Sequence, residues 1–150
     1  MRTLIRNQAC KIFIASSLLC ALNASADTMG HYMNIADNIP LMEIKADPQA
    51  QAWARSARNI LILTSESIIE SLSVANEGAK QSGKPMFCLK PKSTLTATEM
   101  NDLIQKTFKE LATTDRDKNN MTVSQLALMG LSQQYPCESQ TGNNNQNQLR

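Results

Sequence analysis

The chain has 150 residues, with 15 Lys and Arg against 13 Asp and Glu, a formal net charge of +2. That excess is too small to make a nucleic-acid surface, and Arg2, Arg6 and Lys11 all sit in a first stretch of 26 residues that contains no acid. Without that stretch the balance is 12 basic against 13 acidic residues, so the basic character belongs to the N-terminal segment alone.

Residues 1–26 read as a secretory signal peptide. The three basic residues lead, Ile12 to Leu22 form an apolar middle, and Ala24-Ser25-Ala26 fits the small-residue cleavage pattern. The apolar run is too short for a stable membrane-spanning helix. Cys20 offers a competing lipoprotein reading, but Leu19 precedes it where processing wants a small residue. Cleavage removes Cys10 and Cys20 and delivers a domain of 124 residues to the periplasm, a size suited to one hydrophobic core. In that oxidising compartment the two remaining cysteines, Cys88 and Cys137, are expected to pair.

Residues 27–46 carry Met29, Tyr32, Met33, Ile35, Ile39, Leu41, Met42 and Ile44, with Pro40 among them. One or two short helices around that proline are expected. His31, the only histidine, has Asp37 as its near carboxylate and no cysteine close by, so a surface or hydrogen-bonded role outweighs metal ligation. Asp47 then offers an N-cap and Pro48 the first helical position. A long helix follows, with Trp53, Ala57, Ile60, Leu61, Ile68, Leu72 and Ala75 as its expected inner stripe and Gly78 as its stop. A bend is plausible at residues 64–67, where hydroxyls can bond back to the preceding turn. Trp53 suits a core or interface anchor better than a ligand platform.

Residues 78–93 form a connector broken by Gly83, Pro85 and Pro91. It gathers Lys80, Lys84, Lys90 and Lys92, which fit a solvated loop or, less simply, a docking surface for an acidic partner. Two amphipathic helices come next. Thr96 and Glu99 make a capping box with Leu95 and Met100 as its staple, and Met100, Leu103, Ile104, Thr107, Phe108 and Leu111 follow one helical face. Thr122 and Gln125 repeat the box, with Met121 and Leu126 as the staple. The second inner stripe is Val123, Leu126, Ala127, Gly130, Leu131 and Tyr135, and Pro136 stops the helix. A Cys88–Cys137 bridge then clamps the entry of the first helix to the exit of the second.

Between these helices, residues 113–120 read TTDRDKNN and are expected to form a polar loop. Asp115, Asp117 and Asn119 imitate the start of a calcium loop, but Asn120 stands where glycine belongs and Leu126 where the bidentate acid belongs. The loop can be a plain connection or a protruding partner-binding element carrying Asp115, Arg116, Asp117 and Lys118. The tail over 139–150 lacks apolar periodicity and is expected to be disordered.

Phe87-Cys88-Leu89 with its proline turn, Thr94-Leu95-Thr96, a helix containing Leu103-Ile104, and a helix ending Tyr135-Pro136-Cys137 together resemble the Rap/Tai immunity proteins. The resemblance covers residues 86–137. It implies a small helical periplasmic protein that protects type VI secretion bacteria from their own peptidoglycan-cleaving amidases. Many members carry a further cysteine pair in the N-terminal half, and this chain has none there after cleavage.

The residues show no nucleophile–base pairing and no glycine-rich phosphate loop. Carboxylate pairs such as Glu66 and Glu70 suit a solvated helix face. No enzyme activity, cofactor, metal or nucleic-acid partner is therefore expected. The expected fold is an all-α, four-helix-type domain over residues 27–138, clamped by one disulfide. The first functional expectation is a periplasmic protein that occludes an amidase active site, with homodimer formation left open. The alternative is an accessory or assembly protein of a cell-envelope secretion or conjugation apparatus. A small acid-stress chaperone is a third reading, weakened by the single histidine and the long polar tail.

Overall fold

The computed structural model describes residues 27–137, so the signal expected over 1–26 and the tail expected over 139–150 lie outside the described residues. Five helices run in order: α1 (Met29–Glu43), α2 (Pro48–Gln81), α3 (Ala97–Glu110), α4 (Asp115–Asn120) and α5 (Val123–Gln134). No strand occurs among the described residues, and the fold is all-α. α1 packs on α2, α2 on α3 and α3 on α5, while α4 closes back onto α1.

α1 is one continuous helix, not a pair broken at Pro40. The proline falls in the last turn, where its missing N–H forfeits only one intrahelical bond. α1 has no side-chain cap at Thr28. Its first N–H is met from across the fold, Met29 N–H donating to Met121 O at 2.8 Å, and in return Val123 N–H of α5 donates to Asp27 O at 3.1 Å. These bonds form an isolated antiparallel bridge between Thr28 and Thr122. The start of α1 is thereby stitched to the junction of α4 and α5.

α2 begins as expected, with the Asp47 side chain accepting from Gln49 N–H and Pro48 in the first turn. It runs past Gly78 to Gln81, and the chain turns at Gly83, whose φ of +73° suits glycine. At 1.5 Å per residue its 34 residues span about 51 Å. It is unbroken through residues 64–67, although Ser67 Oγ does bond back to Leu63 O at 3.0 Å.

The inner stripe of α2 differs from the expected one. Ala50, Ala54, Ala57, Leu61, Ser65, Ile68 and Asn76 are buried, whereas Trp53 and Ile60 are 43% and 53% exposed. Small side chains let α1 approach, and bulky Tyr32 and Met33 fill the space opposite them. The Tyr32 hydroxyl, 1% exposed as a residue, donates to Asn101 Oδ1 at 2.7 Å and accepts from Ser65 Oγ at 3.2 Å. It ties α1, α2 and α3 together, and its burial pushes the phenol pKa above the ordinary value.

Candidate partner-binding site

Both capping boxes form. Thr96 Oγ1 accepts from Glu99 N–H at 3.2 Å while Glu99 Oε2 accepts from Thr96 N–H at 2.8 Å. The bond from Thr96 N–H, with a second from Thr96 Oγ1 at 2.8 Å, holds the Glu99 carboxyl pKa below the ordinary glutamate value. Thr122 and Gln125 repeat the arrangement at 3.2 and 2.9 Å. Met100, Leu103, Ile104 and Thr107 of α3 are buried, and Phe108 and Leu111 pack on the core partly exposed. Val123, Leu126, Ala127, Gly130 and Leu131 of α5 are all buried, and Tyr135 caps the helix half-buried. At Gly130, α5 lies close against α3. A Cβ there would lie 2.5 Å from Thr107 Oγ1 and 3.1 Å from Leu103 Cγ.

Cys88 and Cys137 are joined, with Cα atoms 4.9 Å apart and a sequence separation of 49. Two further ties hold the same place. Cys88 N–H donates to Tyr135 O at 2.8 Å, and Ser132 Oγ lies 3.1 Å from Met86 O. Asn76, which the sequence reading did not single out, fastens the connector to α2. Its Nδ2 donates to Phe87 O at 2.9 Å, and its Oδ1 accepts from Met86 N–H at 2.7 Å and Phe87 N–H at 3.3 Å. A buried asparagine facing an extended backbone replaces the bonds that a neighbouring strand would supply.

The segment expected to be a polar loop between α3 and α5 is helical instead. α4 spans Asp115–Asn120, and Thr114 caps it by accepting from Asp117 N–H. Thr114 Oγ1 also donates to Asp117 Oδ2 at 2.6 Å, so a third helix start pairs a threonine with the polar side chain three residues on. Asp115 and Asp117 fall in the first turn, where negative charge suits the helix dipole.

Asp115, Arg116, Asp117 and Lys118 therefore share one short helix, but they are not equivalent. Asp115, Arg116 and Asp117 are exposed. Lys118 is turned inward, its side chain 18% exposed, paired with Asp115 at 3.0 Å and seated 5.0 Å above the centre of the Phe108 ring. On the other side α4 abuts α1 so closely that a Cβ on Gly30 would lie 3.3 Å from Asn119 Cβ. The element is held by α1, by Phe108 of α3 and by the stitched start of α5.

His31 Nδ1 lies 3.1 Å from Asp27 Oδ1, with both side chains exposed. Among the described residues, no three His, Cys, Asp or Glu side chains gather as a metal site. Of the lysines expected in the connector, Lys80 falls in the last turn of α2 and pairs with Glu77 at 3.6 Å, and Lys84, Lys90 and Lys92 are exposed. An apolar cavity of about 320 Å³ opens between α2, the connector and α3, with Ile69, Phe87, Leu89, Leu95, Met100 and Leu131 among its walls. No described helix is long and apolar enough to cross a membrane.

The chain matches no family model, no curated protein and no solved structure. The likeness to the Rap/Tai proteins accordingly rests on the residues quoted for it.

Proposed function

We propose that the protein is exported to the periplasm and neutralises a peptidoglycan amidase by binding over its active-site cleft. The observation that carries this reading is the Phe87-Cys88-Leu89 to Tyr135-Pro136-Cys137 unit, whose likeness to amidase immunity proteins accompanies a disulfide-clamped helical body. The reading needs no chemistry from this chain, only a surface held in one shape.

The proposed contact is the exposed edge of α4, formed by Asp115, Arg116 and Asp117. Lys118 belongs to its support, because its ammonium is already engaged by Asp115 and the Phe108 ring. A capped helix held on three sides loses little further freedom on binding, which favours affinity over that of a free loop. The mixed charges at its edge suit a polar cleft, and charge pairs there would act mostly on encounter rate and partner choice.

The test is protection in cells. Amidases encoded in the same genome are sent to the periplasm together with wild type or with the triple variant Asp115→Ala/Arg116→Ala/Asp117→Ala, and lysis and binding are followed. Wild type should prevent lysis; the variant should lose protection while staying folded, with only a small fall in melting temperature from the lost Asp115–Lys118 pair and Thr114–Asp117 bond. A variant that still protects would move the contact away from α4. Wild type that binds none of these amidases, and instead purifies with an envelope machine, would replace this reading with the accessory-protein one.

A further inference from the structure

The cavity between α2, the connector and α3 is graded from floor to rim. Phe87, Met100 and Leu131 lie deepest, 3%, 0% and 1% exposed. Ile69, Leu89 and Leu95 wall it half-buried, and Ser73, Ser93 and Thr94 stand exposed at its rim. No charged side chain lines it. The Asn76 clasp holds Met86 and Phe87 on α2, and the connector then turns at residues 90–93 before Leu95 leads it into α3. At about 320 Å³ the cavity has the size of a small-ligand site, and such sites are mostly apolar with a few placed polar groups. We propose that it binds a free medium-chain fatty acid, with the acyl chain in the cavity and the carboxylate at the lysines of the connector turn.

The head group follows from the turn at the rim. Lys90 O accepts from Ser93 N–H at 3.0 Å and from Ser93 Oγ at 2.7 Å, and Lys92 has a φ of +65°. With Pro91 second and a positive φ third, this is the pattern of a type II turn, whose third position ordinarily takes glycine or asparagine. A lysine there carries backbone strain that glycine would remove, and such strain gathers at binding sites. The turn joins Leu89 to Ser93, both of which line the cavity, so it sets two ammonium groups beside the opening. Among the described residues neither Lys90 nor Lys92 has an ion-pair partner. The tail follows from volume. A methylene takes about the room of one water, roughly 30 Å³ in the liquid, so the cavity holds about ten of them. A single leucine side chain, from a protein partner or from Leu149, the one aliphatic residue of 138–150, would fill less than half of it.

This proposal stands apart from the amidase reading, because neither the cavity nor the turn includes a residue of α4. The experiment is calorimetric titration of the oxidised protein lacking residues 1–26 with hexanoate, octanoate, decanoate and dodecanoate, each below the concentration at which it forms micelles. Each added methylene should tighten binding about fourfold, levelling off at about ten carbons. Ser73→Phe, which fills the opening from an exposed position, should abolish decanoate binding with an unchanged helical spectrum. Lys90→Ser combined with Lys92→Gly should weaken decanoate several-fold, leave 1-decanol binding as it was, and melt no lower than wild type. Absence of binding by every chain, affinity indifferent to chain length, or undiminished binding by Ser73→Phe would overturn the proposal. So would capture of the protein by phosphatidylglycerol vesicles without binding of free decanoate. Decanoate binding unmoved by the lysine variant would overturn the place given to the carboxylate.

Discussion

Asn76→Ala removes one side chain and strands three backbone groups. Phe87 is 3% exposed, so its N–H and C=O, both now bonded to the Asn76 amide, would have no water to turn to. Each unmade buried bond costs about 1–3 kcal/mol, and the Met86 N–H, partly buried, adds little because solvent can reach it. The expected loss is about 2–5 kcal/mol, with some relief if the connector shifts. For a domain of this size that lowers the melting temperature by roughly 10–20 °C. The disulfide at Cys88 limits such relief, so the substitution should hurt the oxidised protein in full. The assay is urea unfolding of oxidised wild type, Asn76→Ala and the exposed neighbour Ser73→Ala, followed by far-ultraviolet circular dichroism. A loss below about 0.5 kcal/mol, the range of ordinary surface changes, would refute the role given to Asn76.

Gly130→Ala places a methyl 2.5 Å from Thr107 Oγ1, so a net loss of about 1–2 kcal/mol is expected after the gain in helix propensity, and adding Thr107→Ala should recover part of it. Denaturant unfolding of the single and double variants checks this. Cys88→Ala opens a bridge closed over 49 positions and should cost about 2–5 kcal/mol, while intact oxidised protein should weigh two mass units less than after reduction. Hydrogen bonds from Thr96 depress the folded pKa of Glu99 below its unfolded value, so the stability linked to it is present above the ordinary glutamate range. That contribution is lost as pH falls through the depressed value, and Glu99→Gln should flatten the acid limb of melting temperature against pH.

The parts of the fold that were legible in the sequence are those set by neighbours three or four residues apart. Thr96 with Glu99 and Thr122 with Gln125 satisfy helix N–H groups within one turn, Asp47 does so for Gln49 N–H, and Pro48 has no N–H to satisfy, so all three starts are visible locally. The stripe of α5 was also legible, because Val123, Leu126, Ala127, Gly130 and Leu131 keep helical spacing, with Leu128 and Met129 falling outside it. α2 has two apolar stripes, and the larger residues, Trp53 and Ile60, drew the inner face toward themselves. The buried stripe is the one with Ala50, Ala54 and Ala57, because helix approach selects small side chains where hydropathy favours big ones. α4 has a Thr-x-x-acid start like that of α3, at Thr114 and Asp117, but six residues are too few to show a period. The Asn76 clasp and the bridge from Thr28 to Thr122 join positions far apart in the chain, so no local pattern announces them. At the candidate site, the Cys88–Cys137 pairing was legible from the two cysteines left after the signal. The inward turn of Lys118 was not, since it depends on where Phe108 lies.

The central claim is that this chain silences a peptidoglycan amidase by binding alone. Its most direct test is a titration of purified oxidised protein, lacking residues 1–26, into an amidase from the same genome while the release of peptidoglycan fragments is followed. The account predicts that activity falls in proportion to added protein and vanishes at one chain per enzyme, with the protein recovered unchanged. Undiminished hydrolysis by every such amidase in the presence of excess protein would contradict it.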